Sequence, residues 1–507
     1  MAIVPDVCTA QEEGEYMSGK SVRGVGKAGF VKEHGLDTES FSRAAEQSRE
    51  LVKQHDLQTV RMVWVDQHGA PRVKFMSAED YLASLESGID FSGALLSLDS
   101  GNFVFTQAFA EGGGFGVPEF TGFPDLVLVP DPTTLRVLPF ANRTGWVLTD
   151  SYFANGKPMM FDPRRILRDQ LAAAEAMGFD YVSGLEVEFY VVRLDSPGRI
   201  DFSETGWPPA PPKVSAVEQG YQYLSEVRLA GLNPLLETLR DTFRDLGLPL
   251  RSMEDEWGPG QLEITMDPMV GLGSADAMVL FRSVTKQICQ REGLLASFMA
   301  RPNLPNAFSS GWHLHESLRS HATGENTFTS DDDNSLSVVG RQFVAGILEH
   351  AVPMSIFTNP TINGYKRFRP YSFAPDRAGW AEENRGTMVR VQAQPGEKGA
   401  HIENRMGEPA ANPYLYLAAN VAAGLDGVRR QLTPPPMSGA DPYADDNAQK
   451  LPKSLWEATD ALDNDAFFRN EFGDSFVNFL TMMKRNEINR FLSEVTDWEM
   501  KEYFEFF

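Results

Sequence analysis

The chain of 507 residues is predicted to form an α+β fold, with a small strand-rich unit before a larger unit of mixed helices and strands. Three observations predict it. The length exceeds what one small core requires. Residues 41–150 are dominated by alternating apolar segments typical of strands, and residues 151–507 alternate capped helical segments with apolar strands. Residues 1–40 are polar and Gly-rich without a clear period, which predicts a flexible N-terminal extension.

The composition excludes several classes of protein. With 42% hydrophobic and 23% charged residues, the chain has the make-up of a globular domain. A formal net charge of −24 argues against a nucleic-acid partner or an anionic membrane surface, since both require a basic face. No apolar run approaches the roughly 20 residues of a membrane helix. Two cysteines and no recognisable signal peptide favour a cytoplasmic location.

The strand-rich unit begins with a predicted helix over residues 38–55, capped by Thr38 or Ser40. The apolar alternation on either side of "DQHG" then predicts a β-hairpin, with its turn at residues 66–69. The segment "DLVLVPDPTTLRVLPF" at residues 125–140 repeats this pattern and predicts a second pair of strands.

In the larger unit, the segment from residue 161 to 178 predicts a helix with Asp162 as its cap and Pro163 in the first turn. A strand follows in "YVSGLEVEFYVV". Further helices are predicted in "ADAMVLFRSVTKQICQREG" and "NPYLYLAANVAAGLDGVRRQL". The tail over 451–507 is predicted to be helical, with Trp498 and the final "YFEFF" as packing residues.

Four segments each offer polar side chains that point to one place. Residues two apart on a strand share a face, and a Pro-Gly turn folds its flanks together. Each pair alone is compatible with a structural role, but together they supply five carboxylates and imidazole. Oxygen-rich ligation of this kind favours two Mg²⁺ or Mn²⁺ ions over zinc. The pairs are Glu186 with Glu188, Glu256 with Glu263, His313 with His315, and Glu403 with Arg405.

Arginines follow in the segments "NGYKRFRP" and "ENRGTMVRV" as Arg367, Arg385 and Arg390. Divalent cations and guanidinium groups together neutralise the charge that develops when a phosphoryl group is transferred. The chain contains no Walker-type phosphate loop. Its Gly-rich run "EGGGFG" is a weak signal and predicts a mobile loop.

Six motifs, which follow one another in a fixed order, resemble those of a known protein family. They are "GLEVEF", "EWGPGQLEI", "SSGWHLH", "NPTINGYKRFRP", "NRGTMVRV" and "IENRMGEPAANPYLYLAA". From about residue 59 to 507 the chain resembles the glutamine synthetase superfamily. The resemblance implies a β-grasp domain at residues 41–150 and a catalytic domain at 151–507, with a curved antiparallel sheet flanked by helices. It also implies a homo-oligomeric double ring, dodecamer-like, with active sites between subunits.

The resemblance implies a role for each matching residue. The cofactors would be ATP and two or three Mg²⁺ or Mn²⁺ ions per site, and one substrate would be L-glutamate. The metal ligands would be Glu188, Glu256 and Glu263 at one ion and Glu186, His313 and Glu403 at the other. The contacts to ATP would be His315, Ser317, Arg385, Arg390 and Lys398. Glutamate would be held by Arg367 and Arg405, with Ser309 nearby, and the catalytic residues would be Arg385, Arg367 and Glu256.

The chain departs from the family pattern where ammonia-using members bind ammonium. Ser92 stands in place of an aspartate, and Phe373 in place of the glutamate of the flap. An apolar ring suits a neutral amine, and arylamines are neutral near pH 7 and need no acid to deprotonate them. The chain is therefore predicted to join glutamate to an apolar, aniline-like small amine in amine catabolism, most like the γ-glutamylanilide-type synthetases.

Other departures and alternatives remain. Phe308 and Ser309 replace an Asn-Gly pair that helps to seat glutamate, and His401 replaces an arginine near the nucleotide. No adenylylation motif is recognisable. The alternatives are an ammonia-using glutamine synthetase, a ligase for alkylamines or polyamines, and a catalytically inactive relative. The last would be expected to have lost metal ligands, and all six are present.

Overall fold

The computed structural model describes residues 29–507 apart from residues 197 and 199. The N-terminal unit contains a six-stranded sheet in the order β2-β1-β6-β4-β3, with β5 beside β6. Helices α1, α2 and α3 accompany it. The strands are β1 Thr59–Val65, β2 Pro71–Ser77, β3 Ile89–Ser92, β4 Asp125–Pro130, β5 Arg136–Val137 and β6 Thr144–Tyr152. The helices are α1 Phe30–Glu33, α2 Glu39–Gln54 and α3 Ala78–Ser87.

The local signals explain most of this unit. The side chain of Thr38 caps α2 by accepting a hydrogen bond from Phe41 N at 3.2 Å. Strands β1 and β2 form the predicted hairpin, in register from Thr59 opposite Ser77. The predicted second pair is wrong, because β4 and β5 do not pair with each other and both pair with β6. Contacts distant in sequence decide that pairing.

The prediction of a flexible extension over residues 1–40 is wrong for its last part, which begins at residue 29. Residues 1–28 lie outside the described residues. From residue 29 onward the segment is folded: the side chains of Phe30 and Val31 in α1 are buried against Val127 and Val129 of β4. Burial of these two side chains removes apolar surface from water, which holds the segment on the sheet.

The larger unit is built on a nine-stranded sheet with the main order β14-β15-β16-β12-β7-β10-β9, and with β8 and β11 also paired to β7. Apart from the parallel pair β14–β15, its strands are antiparallel. Strands β13 and β17 form a separate pair. The bounds are β7 Phe179–Leu194, β8 Val214–Ala216, β9 Leu250–Asp255, β10 Gln261–Val270, β11 Leu294–Ser297, β12 Trp312–Ser320, β13 Arg377–Ala378, β14 Trp380–Glu382, β15 Val389–Gln392, β16 His401–Asn404 and β17 Gln449–Lys450.

Helices pack around this sheet, and the fold is α+β as predicted. Asp162 caps α4 through its carboxylate, and α10 is buried along almost its whole length. The helices are α4 Pro163–Ala176, α5 Glu226–Gly231, α6 Asn233–Asp245, α7 Gly273–Arg291, α8 Val338–Glu349, α9 Ala351–Thr358, α10 Pro413–Arg429, α11 Leu455–Asp463, α12 Ala466–Phe472, α13 Asp474–Leu492 and α14 Asp497–Tyr503. None of the helices that the structure describes is long and apolar enough to cross a membrane.

The C-terminal tail is helical as predicted, but its aromatic residues are not packing residues within the chain. Trp498 is 60% exposed, Phe504 is 77% exposed and Phe507 is 93% exposed. The sequence pattern identifies these residues as apolar but does not show where, within one copy of the chain, they would find a surface to cover.

Candidate active site

The centre of the long strand β7 carries two carboxylates on one face of the sheet. Glu186 and Glu188 are two residues apart, so their side chains share a face. The neighbouring strands add to that face in register: Glu263 of β10 lies opposite Glu188, and His313 of β12 lies opposite Glu186. Three adjacent central strands therefore bring together three carboxylates and an imidazole.

The row continues across the sheet toward β15. His315 of β12 lies opposite Glu403 of β16, and Glu403 lies opposite Arg390 of β15. Arg390 Nη1 donates to Glu403 Oε2 at 3.1 Å. The site is thus made of cross-strand neighbours, which are the closest pairs that a sheet provides.

Two groups of described side chains bring their ligand atoms within 4.8 Å of one another: Glu186 with His313 and Glu403, and Glu188 with Glu263 and His313. His313 belongs to both groups. The first group matches a predicted ligand set. The second contains two of the three ligands predicted for the other ion. Glu256, the third, lies in the turn between β9 and β10 and is outside both groups.

We call Glu188, Glu256 and Glu263 the acidic half of the site. Burial, together with the charges of neighbouring carboxylates, raises the pKa of Glu256 to about 8 and the pKa of Glu263 to about 10. Burial also raises the pKa of Glu188, although Gln261 and Gly311 each donate a hydrogen bond to its Oε2. Buried carboxylates without a cation are costly, so this donor set fits a divalent metal ion.

We call Glu186 and Glu403 the paired half, because cationic or imidazole groups contact both. Although burial opposes ionisation, His313 lowers the pKa of Glu186 through its charge and a hydrogen bond of 2.5 Å to Oε1. His315 Nε2 contacts Glu186 Oε2 at 3.1 Å. The pKa of Glu403 is also lowered despite burial, chiefly by the charge of Arg405. The groups around Glu403 therefore already stabilise its ionised form.

The predicted glutamate-binding arginines are buried beside the carboxylates. Arg367 is 3% exposed, and its Nη1 and Nη2 donate to the backbone oxygens of Met406 and Arg405, each at 2.8 Å. Arg405 contacts Glu403 through Nη1, and its Nε donates to Arg385 O at 3.1 Å. Backbone and side-chain bonds therefore fix both guanidinium groups, while the Arg385 side chain is exposed.

A cavity of about 1290 Å³ opens beside the paired half. Three of the residues predicted to contact ATP line it, namely His315, Ser317 and Lys398. His401 also lines it, with its ring centroid 5.2 Å from that of His315. The cavity exceeds the usual range for small-ligand sites, so its size accommodates a nucleotide. Arg385 and Arg390 are not among the residues that line it.

The segment before β12 holds Ser309, the residue predicted to lie near the bound glutamate. Ser309 Oγ accepts a hydrogen bond from Arg301 Nη1 at 3.0 Å, and Ser309 O accepts one from Gln261 Nε2 at 3.1 Å. The neighbouring Gly311 lies so close to Arg367 Nη2 that an added Cβ would be 2.7 Å from it. The segment therefore packs directly on the buried guanidinium.

The two residues predicted to line the amine site lie on elements other than the strands that carry the carboxylates. Ser92 ends β3 in the N-terminal sheet, which is separate from the nine-stranded sheet that carries the carboxylates. Phe373 lies in the loop before β13, 65% exposed, with a backbone φ of 57°. That φ is unusual for an aromatic residue.

Sequence reasoning missed two groups of residues. One is Gln261, which orients Glu188, and its position two residues before Glu263 was the available signal. The other is a row of exposed rings beside Glu256, of which the sequence singles out only Phe308, as a departure from the family pattern. Tyr223 and Trp257 stack with centroids 5.1 Å apart, and Phe308 is 6.2 Å from Trp257. Tyr223 and Phe308 come from segments remote from Glu256 in sequence, so no local signal joins them.

Comparison with known proteins now decides the family. The model of the glutamine synthetase catalytic domain matches residues 160–503. The chain belongs to the glutamine synthetase family. The chain is therefore an ATP-dependent ligase, and members of this family use ATP with divalent metal ions.

Individual relatives and solved structures agree with this assignment. A γ-glutamylanilide synthase from Acinetobacter sp. is 39% identical over 94% of this chain and 99% of the relative. A glutamate–isopropylamine ligase from Pseudomonas sp. is 32% identical, covering 90% and 96%. A glutamine synthetase from Methanococcus maripaludis is 33% identical, covering 91% and 99%. The solved structure of GmaS without ligand superimposes with a TM-score of 0.75 at 28% identity, covering 90% and 98%.

These relatives support the coarser part of the predicted activity, a ligase that forms γ-glutamyl amides. They include enzymes named for different amines, together with glutamine synthetases. The family and the fold predicted from the six motifs are confirmed. The identity of the amine and the roles of the individual site residues stay predictions.

Proposed function

We propose that this glutamine synthetase family member joins L-glutamate to an apolar, aniline-like amine in amine catabolism, and that it forms the amide through γ-glutamyl phosphate. The observation that carries the proposal is the register of the catalytic sheet. It aligns Glu188 with Glu263, Glu186 with His313, and Glu403 with His315 across adjacent strands. This arrangement suits phosphoryl transfer, which depends on positioning and charge neutralisation.

The chemistry explains why ATP is needed. A carboxylate resists attack because its leaving group would be oxide. A γ-carboxylate oxygen of glutamate takes the γ-phosphoryl group of ATP and ADP departs. The amine nitrogen then attacks the carbonyl carbon, the bond to the phosphate oxygen breaks with its electron pair, and the nitrogen loses one proton. Glu256 is our candidate to accept that proton, because it is the member of the carboxylate cluster that lies outside both close groups of ligand atoms.

The two halves of the carboxylate cluster would hold the metal ions. Glu188, Glu256 and Glu263 are the proposed ligands of one ion, and Glu186, His313 and Glu403 those of the other. Bound divalent ions supply positive charge that neutralises the phosphoryl oxygens as the group moves. Gln261 and the Gly311 amide orient Glu188 through bonds of 3.1 Å and 3.0 Å, so this ligand is held before any substrate arrives.

The nucleotide is proposed to enter the cavity of about 1290 Å³, where Ser317 and Lys398 are available to its phosphates. His315 faces both this cavity and Glu186. Arg390 neutralises Glu403 from the opposite side, at 3.1 Å. The exposed guanidinium of Arg385 is proposed to contact the phosphoryl group in transit.

Glutamate is proposed to bind where Arg367 and Arg405 lie buried beside the carboxylates. Their hydrogen bonds to the backbone oxygens of Met406, Arg405 and Arg385 fix the planes of both guanidinium groups. A guanidinium held in this way binds a carboxylate through two parallel hydrogen bonds. Ser309 borders Arg301, which adds a further cation to this region.

The absence of acids at Ser92 and Phe373 supports a neutral amine. Alkylamines reach the enzyme as cations and would need a carboxylate to bind and deprotonate them, whereas an arylamine needs neither. Because Ser92 lies in the N-terminal sheet, we propose that it faces the active site of a neighbouring subunit in a dodecamer-like double ring. We propose the cytoplasm as the compartment, because the reaction consumes ATP.

The test is phosphate release with ATP, Mg²⁺ and glutamate, measured with ammonia, aniline, isopropylamine, ethanolamine and putrescine. We expect aniline to give the highest kcat/KM. A preference for ammonia would instead support the second candidate, an ordinary glutamine synthetase, which the methanogen relative favours. If none of the amines in the panel supports phosphate release, the proposed function is contradicted.

Variants at the amine site sharpen this test. The double variant Ser92→Asp with Phe373→Glu restores two acids, so activity with ammonia should rise relative to aniline. Phe373→Ala removes apolar contact without supplying a base, and should lower arylamine use without creating ammonia activity. If Phe373→Ala leaves the ratio of the two kcat/KM values unchanged, Phe373 does not contact the amine.

A further inference from the structure

An exposed row of three aromatic rings borders the acidic half of the site. Trp257 directly follows Glu256, and its backbone nitrogen donates to Glu256 Oε2 at 3.3 Å. Tyr223 stacks on Trp257 with an angle of 3° between the ring planes, and the ring of Phe308 lies 6.2 Å from that of Trp257 at an angle of 40°. The three residues, Tyr223, Trp257 and Phe308, are 46%, 44% and 50% exposed. We call them the aromatic row.

Single exposed rings are common, but a contiguous exposed patch of several rings is typical of a binding surface. They are also held in place in the structure as it stands. The hydroxyl of Tyr190 accepts from Phe308 N at 2.8 Å and donates to Phe308 O at 3.0 Å. The loop that carries Tyr223 is fastened to the turn of Trp257, where Tyr221 N donates to Trp257 O at 3.3 Å. Fixed rings lose little entropy when a ligand binds.

The nucleotide does not account for the aromatic row. The cavity proposed for ATP is lined by residues such as Ser317, Lys398 and His401, and none of the three rings lines it. The row instead adjoins Glu256, the carboxylate proposed to accept the proton of the attacking amine. A group bound on these rings would therefore sit beside the place where the amine reacts.

We propose that the aromatic row binds the aryl group of the amine and sets the preference for arylamines. This inference rests on the proposed function and names residues that select its substrate. An aryl ring packs on other rings in offset or edge-to-face geometry with centroids about 4.5–7 Å apart, which matches the spacing already present in the row. Phe373 has no ring contact in the part of the chain that the structure describes, so the row offers the more extensive aromatic surface.

The experiment compares Tyr223→Leu, Trp257→Leu and Phe308→Leu with the wild-type enzyme. Each leucine keeps an apolar side chain at a half-exposed position but removes the ring. The measurement is the kcat/KM for aniline divided by that for isopropylamine. We expect this ratio to fall about tenfold for Trp257→Leu, which contacts both other rings, and about threefold to fivefold for the other two.

The matched control is Trp456→Leu in α11, because Trp456 is 42% exposed and has the same side chain as Trp257. The control should leave the ratio unchanged. If the ratio stays within twofold of wild type in all three variants of the aromatic row, the inference is overturned. It is also overturned if these variants lose activity with every amine together and change the oligomeric size, since the rings would then face another copy of the chain.

The wild-type enzyme separates this inference from the proposed function. Phosphate release with isopropylamine or ammonia but not with aniline would overturn both the role of the aromatic row and the aniline-like amine of the proposed function, and would leave only the coarser ligase activity. Use of aniline with an unchanged ratio in the three variants would overturn the role of the row alone. Phosphate release with none of the amines would overturn the proposed function itself.

Discussion

The two halves of the carboxylate cluster lie at one face of one sheet, with Glu256 in the adjoining turn, yet their electrostatics are opposite. In the paired half, Glu186 and Glu403 are contacted by imidazole or guanidinium groups, which lower their pKa values. In the acidic half, Glu256 and Glu263 have no ion-pair partner among the described residues, and burial with mutual repulsion raises their pKa values.

This difference between the pKa values indicates which half depends on a bound ion. The paired half is already balanced by cationic groups of the protein, whereas the buried carboxylates of the acidic half must bind either protons or a cation from solution to be neutralised. We therefore expect the acidic half to bind a divalent ion more tightly. The following predictions test this asymmetry, beginning with the largest effect.

Removing a carboxylate of the acidic half should abolish turnover. Glu263→Ala or Glu188→Ala should lower kcat by more than about 100-fold, because a misplaced ion also misplaces the phosphoryl group. The measurement is amide formation by a variant whose circular dichroism matches wild type. Glu382→Ala, which changes an exposed carboxylate at the edge of the same sheet, is the control and should remain active. Near-normal synthesis by Glu263→Ala would remove Glu263 from the metal site.

Metal affinity should fall more in the acidic half than in the paired half. Glu263→Gln should weaken the tightest Mn²⁺ binding about tenfold more than Glu186→Gln, because Glu186→Gln leaves the imidazole of His313 free to ligate. Electron paramagnetic resonance of free Mn²⁺ during a titration measures both constants. Equal losses, or a larger loss for Glu186→Gln, would show that the two halves do not differ in the proposed way.

Arg405→Lys should mainly weaken the use of glutamate. Lysine cannot contact Glu403 and a substrate carboxylate with one planar fork, so we expect the KM for glutamate to rise about tenfold with a smaller change in kcat. Steady-state kinetics with saturating ATP measure this. Arg469→Lys, in α12, should leave the KM unchanged. The same KM for Arg405→Lys and wild type would exclude Arg405 from the glutamate site.

A smaller effect concerns stability. Burial raises the pKa of Glu408 to about 7, although Thr361 donates two hydrogen bonds to its carboxylate. An acid with a raised pKa in the folded state makes the protein less stable as pH rises from about 4.5 to 7, because the folded state holds its proton longer than the unfolded state.

Glu408→Gln mimics the neutral acid and should remove this dependence. The Tm of the variant relative to wild type should therefore increase between pH 5 and pH 8. Thermal unfolding followed by circular dichroism checks it. A difference in Tm that does not change with pH would show that Glu408 titrates normally in the folded protein.

Much of the site could be predicted because its residues obey local rules. Glu186 and Glu188 share a face through the period of a strand, and His313 and His315 do so on the neighbouring strand. The cap at Asp162 and the hairpin of β1 and β2 are also encoded locally. The six ordered motifs also predicted the protein family.

The remainder depends on contacts between distant segments. The pairing of β4 with β6, the burial of Phe30 and the row formed by Tyr223, Trp257 and Phe308 each join residues that no local period relates. The prediction that Trp498 is a packing residue is wrong for the same reason: hydrophobicity shows that a residue favours burial but not which surface buries it.

The cross-strand register described above also bears on how such a protein can change over evolutionary time. The carboxylates and His313 lie on central strands, where a shift of one residue would reverse every buried side chain, so this part tolerates little variation. The aromatic row and Phe373 stand on turns and loops, which accept substitutions without disturbing the core. The residues proposed for phosphoryl transfer therefore tolerate little change, whereas the residues proposed to bind the amine can vary at a few loop positions.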